Sequence, residues 1–130
     1  MSWRAVVCQL IVAGTAPTAL AQLPFEVPKP AAPTAASLFA SQCGTCHTVE
    51  HNAAPRQGPN LAGVFNRKAG TLSGFHYSPG FANAAFVWDD NHLDAWLANP
   101  QKLIPGAVML YRQPDPAIRA SIIAWLKEQH

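Results

Sequence analysis

Residues 42–51 read Gln-Cys-Gly-Thr-Cys-His-Thr-Val-Glu-His. Two thiols three positions apart, an imidazole directly after the second, then a carboxylate and another imidazole are groups that bind metals, move protons or form covalent bonds. Four readings compete for such a stretch: covalent haem attachment, a zinc site, a redox or structural disulfide, and ordinary loop residues.

Cys43, Cys46 and His47 have the Cys-x-x-Cys-His spacing. On one helical turn two thiols can add to the two vinyl groups of a haem, and the next imidazole then faces the iron. A thioredoxin-like redox pair needs a βαβ setting, and no such pattern flanks these residues. Two intervening residues permit only a strained Cys43–Cys46 disulfide, which stays open as the colourless alternative for an exported chain. His47-Thr48-Val49-Glu50-His51 also spells H-x-x-E-H, the inverted zinc-peptidase motif. That chemistry needs both imidazoles on one long helix, a third ligand and a substrate cleft, whereas Asn52-Ala53-Ala54-Pro55 stops any helix here. Haem attachment is the leading reading and a zinc metallopeptidase the remote one.

A haem iron held by His47 has a second axial position. Apart from Met1 the sequence has one methionine, Met109, in Ile104-Pro105-Gly106-Ala107-Val108-Met109. The Pro-Gly turn can swing this loop across a flat cofactor and present a thioether; the competing role is a gap-filling core methionine. His51 follows His47 too closely to bind the opposite face. His76 and His92 can compete only if their segments fold inward, and His130 is the last residue.

The elements that must position these groups are short. Met1 to Arg4 is basic, Ala5 to Leu20 is mostly apolar, and Ala19-Leu20-Ala21 has the small-x-small form of a signal-peptidase site, so residues 1–21 are expected to be a secretory signal peptide and the protein periplasmic. The apolar run contains Gln9 and Pro17 and falls short of the ~20 residues of a spanning helix, so no stable membrane insertion is expected after cleavage. Residues 22–33, rich in proline and alanine, are expected to be a disordered tail or linker, leaving 34–130 as the domain. Cleavage would remove Arg4 and lower the formal charge from +2 to +1. That balance gives no reason to expect nucleic-acid binding.

Thr34 is a cap for a helix running into Cys43 with Leu38 and Phe39 on its apolar face. Ser78-Pro79 opens a short helix over 79–85, and Asp90 caps one through Ala98 with Leu93, Trp96 and Leu97 on one face. Asp115-Pro116 starts the last, whose stripe is Ile118, Ile122, Trp125 and Leu126. No alternating β-branched run suggests a strand. The fold class is therefore all-α, about four or five short helices joined by long loops, with too small a core unless an apolar cofactor fills its centre.

Between Thr34 and Gln129 the chain resembles the class I monohaem cytochromes c in several motifs that fall in order. Gly58-Pro59-Asn60-Leu61 is similar to the family turn whose proline carbonyl accepts the ring N–H of the ligand histidine, here Pro59 and His47. Phe39 and Trp125 match the aromatics where the terminal helices cross. Tyr77 and Trp88 match the pair that hydrogen-bonds a buried haem propionate, with Arg67 adding positive charge. Asn99-Pro100 through Met109 matches the methionine-ligand loop. Trp96 departs from the tyrosine usual near the methionine sulfur, Ala107 from a hydroxyl residue, and Phe81 from an asparagine, which makes the pocket less polar.

The resemblance implies the small cytochrome c fold wrapped around one haem c, covalently bound through Cys43 and Cys46, with His47 and Met109 on the iron. It implies a single-electron carrier and not an enzyme. The expected partners are redox proteins, a dehydrogenase, cytochrome complex or terminal oxidase, met in transient docking. The alternative is a haem protein with a labile Met109, acting as a peroxidase or gas binder. Lysines are sparse around the methionine loop, with Lys102 after Pro100 and Val108 before Met109. Partner attraction should therefore depend weakly on salt.

Overall fold

The computed structural model describes Lys29 and residues 31–130. The leader at 1–21 and residues 22–28 and 30 of the proline-rich stretch lie outside the described residues. Ala31–His130 is one compact unit.

Helix α1, Ala35–Gln42, starts at Thr34, whose hydroxyl accepts the Ser37 N–H at 3.2 Å. Leu38 and Phe39 are its buried residues. Cys43 closes the helix, and Cys46 and His47 both donate backbone N–H groups to the Cys43 carbonyl, at 3.0 and 2.9 Å. The attachment motif is thus a further turn wound onto the end of α1.

Helix α2, Asp90–Ala98, is capped by Asp89 and not by Asp90 as the sequence suggested. Asp89 has the extended backbone of a cap and accepts the His92 N–H at 2.8 Å. Asp90 is already helical, and its carboxylate pairs with Lys127 at 2.6 Å. Asn99 ends α2 and at once caps a second short helix, α3, Pro100–Leu103, with the fully buried Pro100 at its first position. The expected helix over 79–85 is a 3-10 turn, Pro79–Asn83, which stops where Ala84 takes a ψ of 87°.

Helix α4, Pro116–Lys127, has Asp115 accepting the Ala117 and Ile118 N–H groups at 2.8 and 3.4 Å. It packs on both α1 and α2, and α2 packs on α3. Contact with two helices widens its buried arc, so Ile123 joins Ile122 and Leu126 in the core while Ile118 and Trp125 are half-buried. The Phe39 and Trp125 rings meet at 4.7 Å where α1 crosses α4. No strand forms among the described residues; a single antiparallel bridge, Lys68 to Val87, sets Arg67 beside Trp88, whose N–H donates to the Arg67 carbonyl at 2.9 Å. Nor is any described helix long and apolar enough to cross a membrane.

Candidate haem-binding site

Two segments of backbone hold His47. The Gly58 N–H donates to the Cys46 carbonyl at 2.7 Å and the Leu61 N–H to the Thr48 carbonyl at 2.8 Å, so residues 46–48 and 58–61 run side by side. His47 Nδ1 lies 2.8 Å from the Pro59 carbonyl oxygen. A carbonyl can only accept, so Nδ1 carries the proton and the lone pair is left on Nε2, the nitrogen able to bind a metal. Burial pushes the His47 pKa below its ordinary value, partly opposed by the Pro59 bond, which keeps the ring neutral and ready to ligate.

The loop between the two segments is pinned by Asn60, a buried side chain that donates to the Glu50 and Ala53 carbonyls at 2.9 Å each and accepts the Ala62 N–H at 2.7 Å. Arg67 then donates to the Asn60 and Ala62 carbonyls at 3.0 and 3.1 Å. The Pro59 carbonyl is therefore aimed by a built framework.

Cys43 and Cys46 are both half-buried free thiols. Burial, with a smaller contribution from Cys46, pushes the Cys43 thiol up to about 11, so it is protonated at neutral pH. Cys46 Sγ lies 3.1 Å from Gln57 Oε1. Two unbridged thiols on a turn that ends in a metal-ready imidazole suit thioether formation, in which each S–H adds across a vinyl double bond.

Of the residues matched to the propionate site, Arg67 lies near Tyr77 and bonds Trp88 through its backbone, and Ser78 follows Tyr77 directly. Arg67 and Tyr77 are close enough to influence each other's charge, and burial raises the Tyr77 pKa, so the phenol stays a hydrogen-bond donor. Next to Tyr77, the Ser78 hydroxyl is buried with no hydrogen-bond partner among the described residues. An unsatisfied buried hydroxyl costs about 1–3 kcal/mol, which an incoming carboxylate would relieve. Only the fold reveals this: in the sequence, Ser78 reads as a helix cap. Trp88 is buried, edge-on to Phe86 at 5.1 Å and to Trp96 at 5.6 Å. Trp96 also meets Phe81 at 5.6 Å, so two of the departures from the family pattern, Trp96 and Phe81, form an aromatic, weakly polar wall with Trp88.

Met109 is half-buried and packs against the core along with Cys43, Leu61, Phe81, Trp96 and Tyr111. Among the other imidazoles, His92 is engaged by Asp89 at 2.8 Å and stacks on Phe86 at 4.2 Å, while His51, His76 and His130 are exposed. His47 and His51 lie on no helix, and among the described residues no group of three His, Cys, Asp or Glu side chains could hold a metal ion. The arrangement a zinc peptidase needs is not formed by these residues.

A family model described as cytochrome c matches residues 33–129. The chain is 45% identical over 92 residues to the cytochrome c of Sesamum indicum, covering 70% of this chain and 83% of that one. It is 41% identical over 103 residues to that of Guizotia abyssinica, covering 78% and 93%. With that of Theileria parva it shares 42% over 97 residues, covering 72% and 81%.

Proposed function

This chain belongs to the cytochrome c family, which transfers electrons by a haem c bound here through Cys43 and Cys46, and from that premise we propose a periplasmic single-electron carrier with His47 and Met109 as axial ligands. The observation that supports His47 as a ligand is the 2.8 Å contact between its Nδ1 and the Pro59 carbonyl, which sets both the tautomer and the plane of the imidazole, while Met109 rests on its place in the loop that follows Pro105-Gly106. Export rests on the leader at 1–21, cleaved after Ala21, with residues 22–33 as a tail ahead of the domain at 34–130.

The bound group supplies an iron that alternates between ferrous and ferric, and a thioether opposite an imidazole favours the ferrous form relative to two imidazoles. The chain's own residues do the rest. The Pro59 carbonyl polarises His47, and Met109 would supply the second ligand to the iron and so limit access of small molecules to it. Tyr77, Ser78, Trp88 and Arg67 offer donors and positive charge to the propionates, and Trp96 and Phe81 exclude water from the methionine side.

Reduced protein exposed to carbon monoxide should show no spectral change, because both axial positions are filled. Rapid binding would favour the peroxidase or gas-binding alternative with a labile Met109.

The docking face follows from the same loop. Val108 and Leu110, on either side of Met109, are 78% and 79% exposed, with Lys102 and Arg112 as the nearby exposed cations. A redox partner, whether dehydrogenase, cytochrome complex or terminal oxidase, would meet an apolar centre with few charges in a small transient interface. Electrostatic steering accelerates association by about 10–10³-fold where charges are dense. The second-order rate of electron exchange with a partner should here fall by less than about tenfold between low and physiological ionic strength, measured by stopped flow. A steeper fall would contradict this docking face.

A further inference from the structure

The methionine-bearing loop carries two exposed apolar side chains and no regular structure of its own between α3 and α4. Something must hold it if Met109 is to stay at one place. Upstream, Gln101 on α3 donates its amide N–H groups to the Ala107 carbonyl and, at 3.3 Å, to that of Met109. Gly80 packs so closely beneath the Pro-Gly turn that a Cβ there would come within 2.3 Å of the Pro105 carbonyl oxygen.

Downstream the anchor is a cluster of three polar side chains from distant parts of the chain. The Tyr111 hydroxyl donates to Gln42 Oε1. Gln113 Nε2 donates to the same oxygen at 2.9 Å and to the Tyr111 oxygen at 3.3 Å. Gln113 is 9% exposed, and all its polar groups are engaged. Its Oε1 accepts the Asp115 N–H at 2.9 Å, and its own N–H donates to the Leu97 carbonyl at 2.8 Å. Its carbonyl accepts from Arg119 at 3.0 Å, and Arg119 is in turn held by Asp94 at 2.7 Å.

Gln42 is the last residue of α1 and directly precedes the attachment cysteine Cys43, while Tyr111 lies two residues beyond Met109. The cluster therefore ties the turn that carries the haem's covalent bonds to the loop that carries the thioether. We propose that Gln42, Tyr111 and Gln113 form a clasp that positions Met109 on the iron and resists its displacement, an inference that rests on Met109 being the second axial ligand. The clasp residues touch the loop and not the iron, so they are positioning residues. Each hydrogen bond removed leaves the loop freer to swing, and a competing ligand then has less to displace.

The test is a spectrophotometric titration of the matured ferric protein with imidazole. Gln42→Met keeps the side-chain length but removes the acceptor oxygen, Tyr111→Phe removes the hydroxyl, and Gln42→Glu keeps an acceptor. The first two should bind imidazole about tenfold more tightly than the parent, the worth of about one net hydrogen bond. Gln42→Glu should bind it as the parent does. In a Met109→Ala background, where no thioether is displaced, all three should leave imidazole affinity unchanged. No tightening in Gln42→Met, or the same tightening in the Met109→Ala background, would overturn the clasp. Equal imidazole affinity in the parent and Met109→Ala proteins would instead overturn the ligand assignment, and the clasp's role with it.

Discussion

Met109→Ala, matured with its haem, is expected to lose the far-red absorption band of a thioether on ferric iron and to bind carbon monoxide when reduced. Its potential should fall by on the order of 0.1 V or more, within the ~0.8 V span that axial ligands command. The physical reason is differential: a soft sulfur stabilises ferrous over ferric iron, and water or hydroxide in its place does the reverse. The fold should survive, because Met109 is only half-buried and the helix contacts of α1 with α4 and α2 with α4 do not depend on it. Circular dichroism separates that outcome from unfolding. An unchanged potential and spectrum would place the second ligand elsewhere.

Gly58→Ala should be nearly as damaging from the other side of the iron. A Cβ at this position would lie 2.3 Å from His47 Cε1, 2.7 Å from Nδ1 and 2.8 Å from Nε2, inside the van der Waals envelope of the ring. An imidazole free to rotate could yield cheaply, but this one is fixed by the Pro59 carbonyl and, in the haem-bound protein, by the iron. Either the ring leaves its plane or the 58–61 segment moves away and takes Pro59 with it. Overpacking of this kind costs about 1–3 kcal/mol, and loss of an orienting partner of a metal-bound histidine weakens ligation by roughly 10–100-fold. Denaturant unfolding and the Soret spectrum of the ferrous protein read the two effects. A stable Gly58→Ala protein with an unaltered spectrum would show that His47 is not held as described.

The haem-attachment chemistry was legible because it is local, while the thioether stays an expectation read from the loop sequence. Cys43, Cys46 and His47 occupy one turn, and the only methionine beyond Met1 sits after a Pro-Gly pair. Thr34 and Asp115 announced helix starts by residue type alone, since a cap acts on the N–H groups two or three residues ahead.

What depended on distant neighbours was hidden. The sequence pointed to Asp90 as the cap of α2, whereas Asp89 caps it and Asp90, one step inside the helix, pairs with Lys127 of α4. The unpartnered Ser78 hydroxyl becomes a candidate only once the fold has buried it. The clasp joins Gln42 to Gln113 across 71 positions, and no periodicity or motif connects two glutamines at that separation. Gly58 reads as half of a Gly-Pro turn, yet its lack of a side chain matters because the His47 ring lies against it.

The proton magnetic resonance spectrum of the reduced, matured protein tests the axial assignment most directly. A thioether bound to low-spin ferrous iron lies over the porphyrin, whose ring current moves its methyl resonance far upfield of any ordinary methyl. One such three-proton signal, absent from Met109→Ala, is the predicted result. A spectrum without it, from a protein that carries covalent haem, would contradict ligation of the iron by Met109.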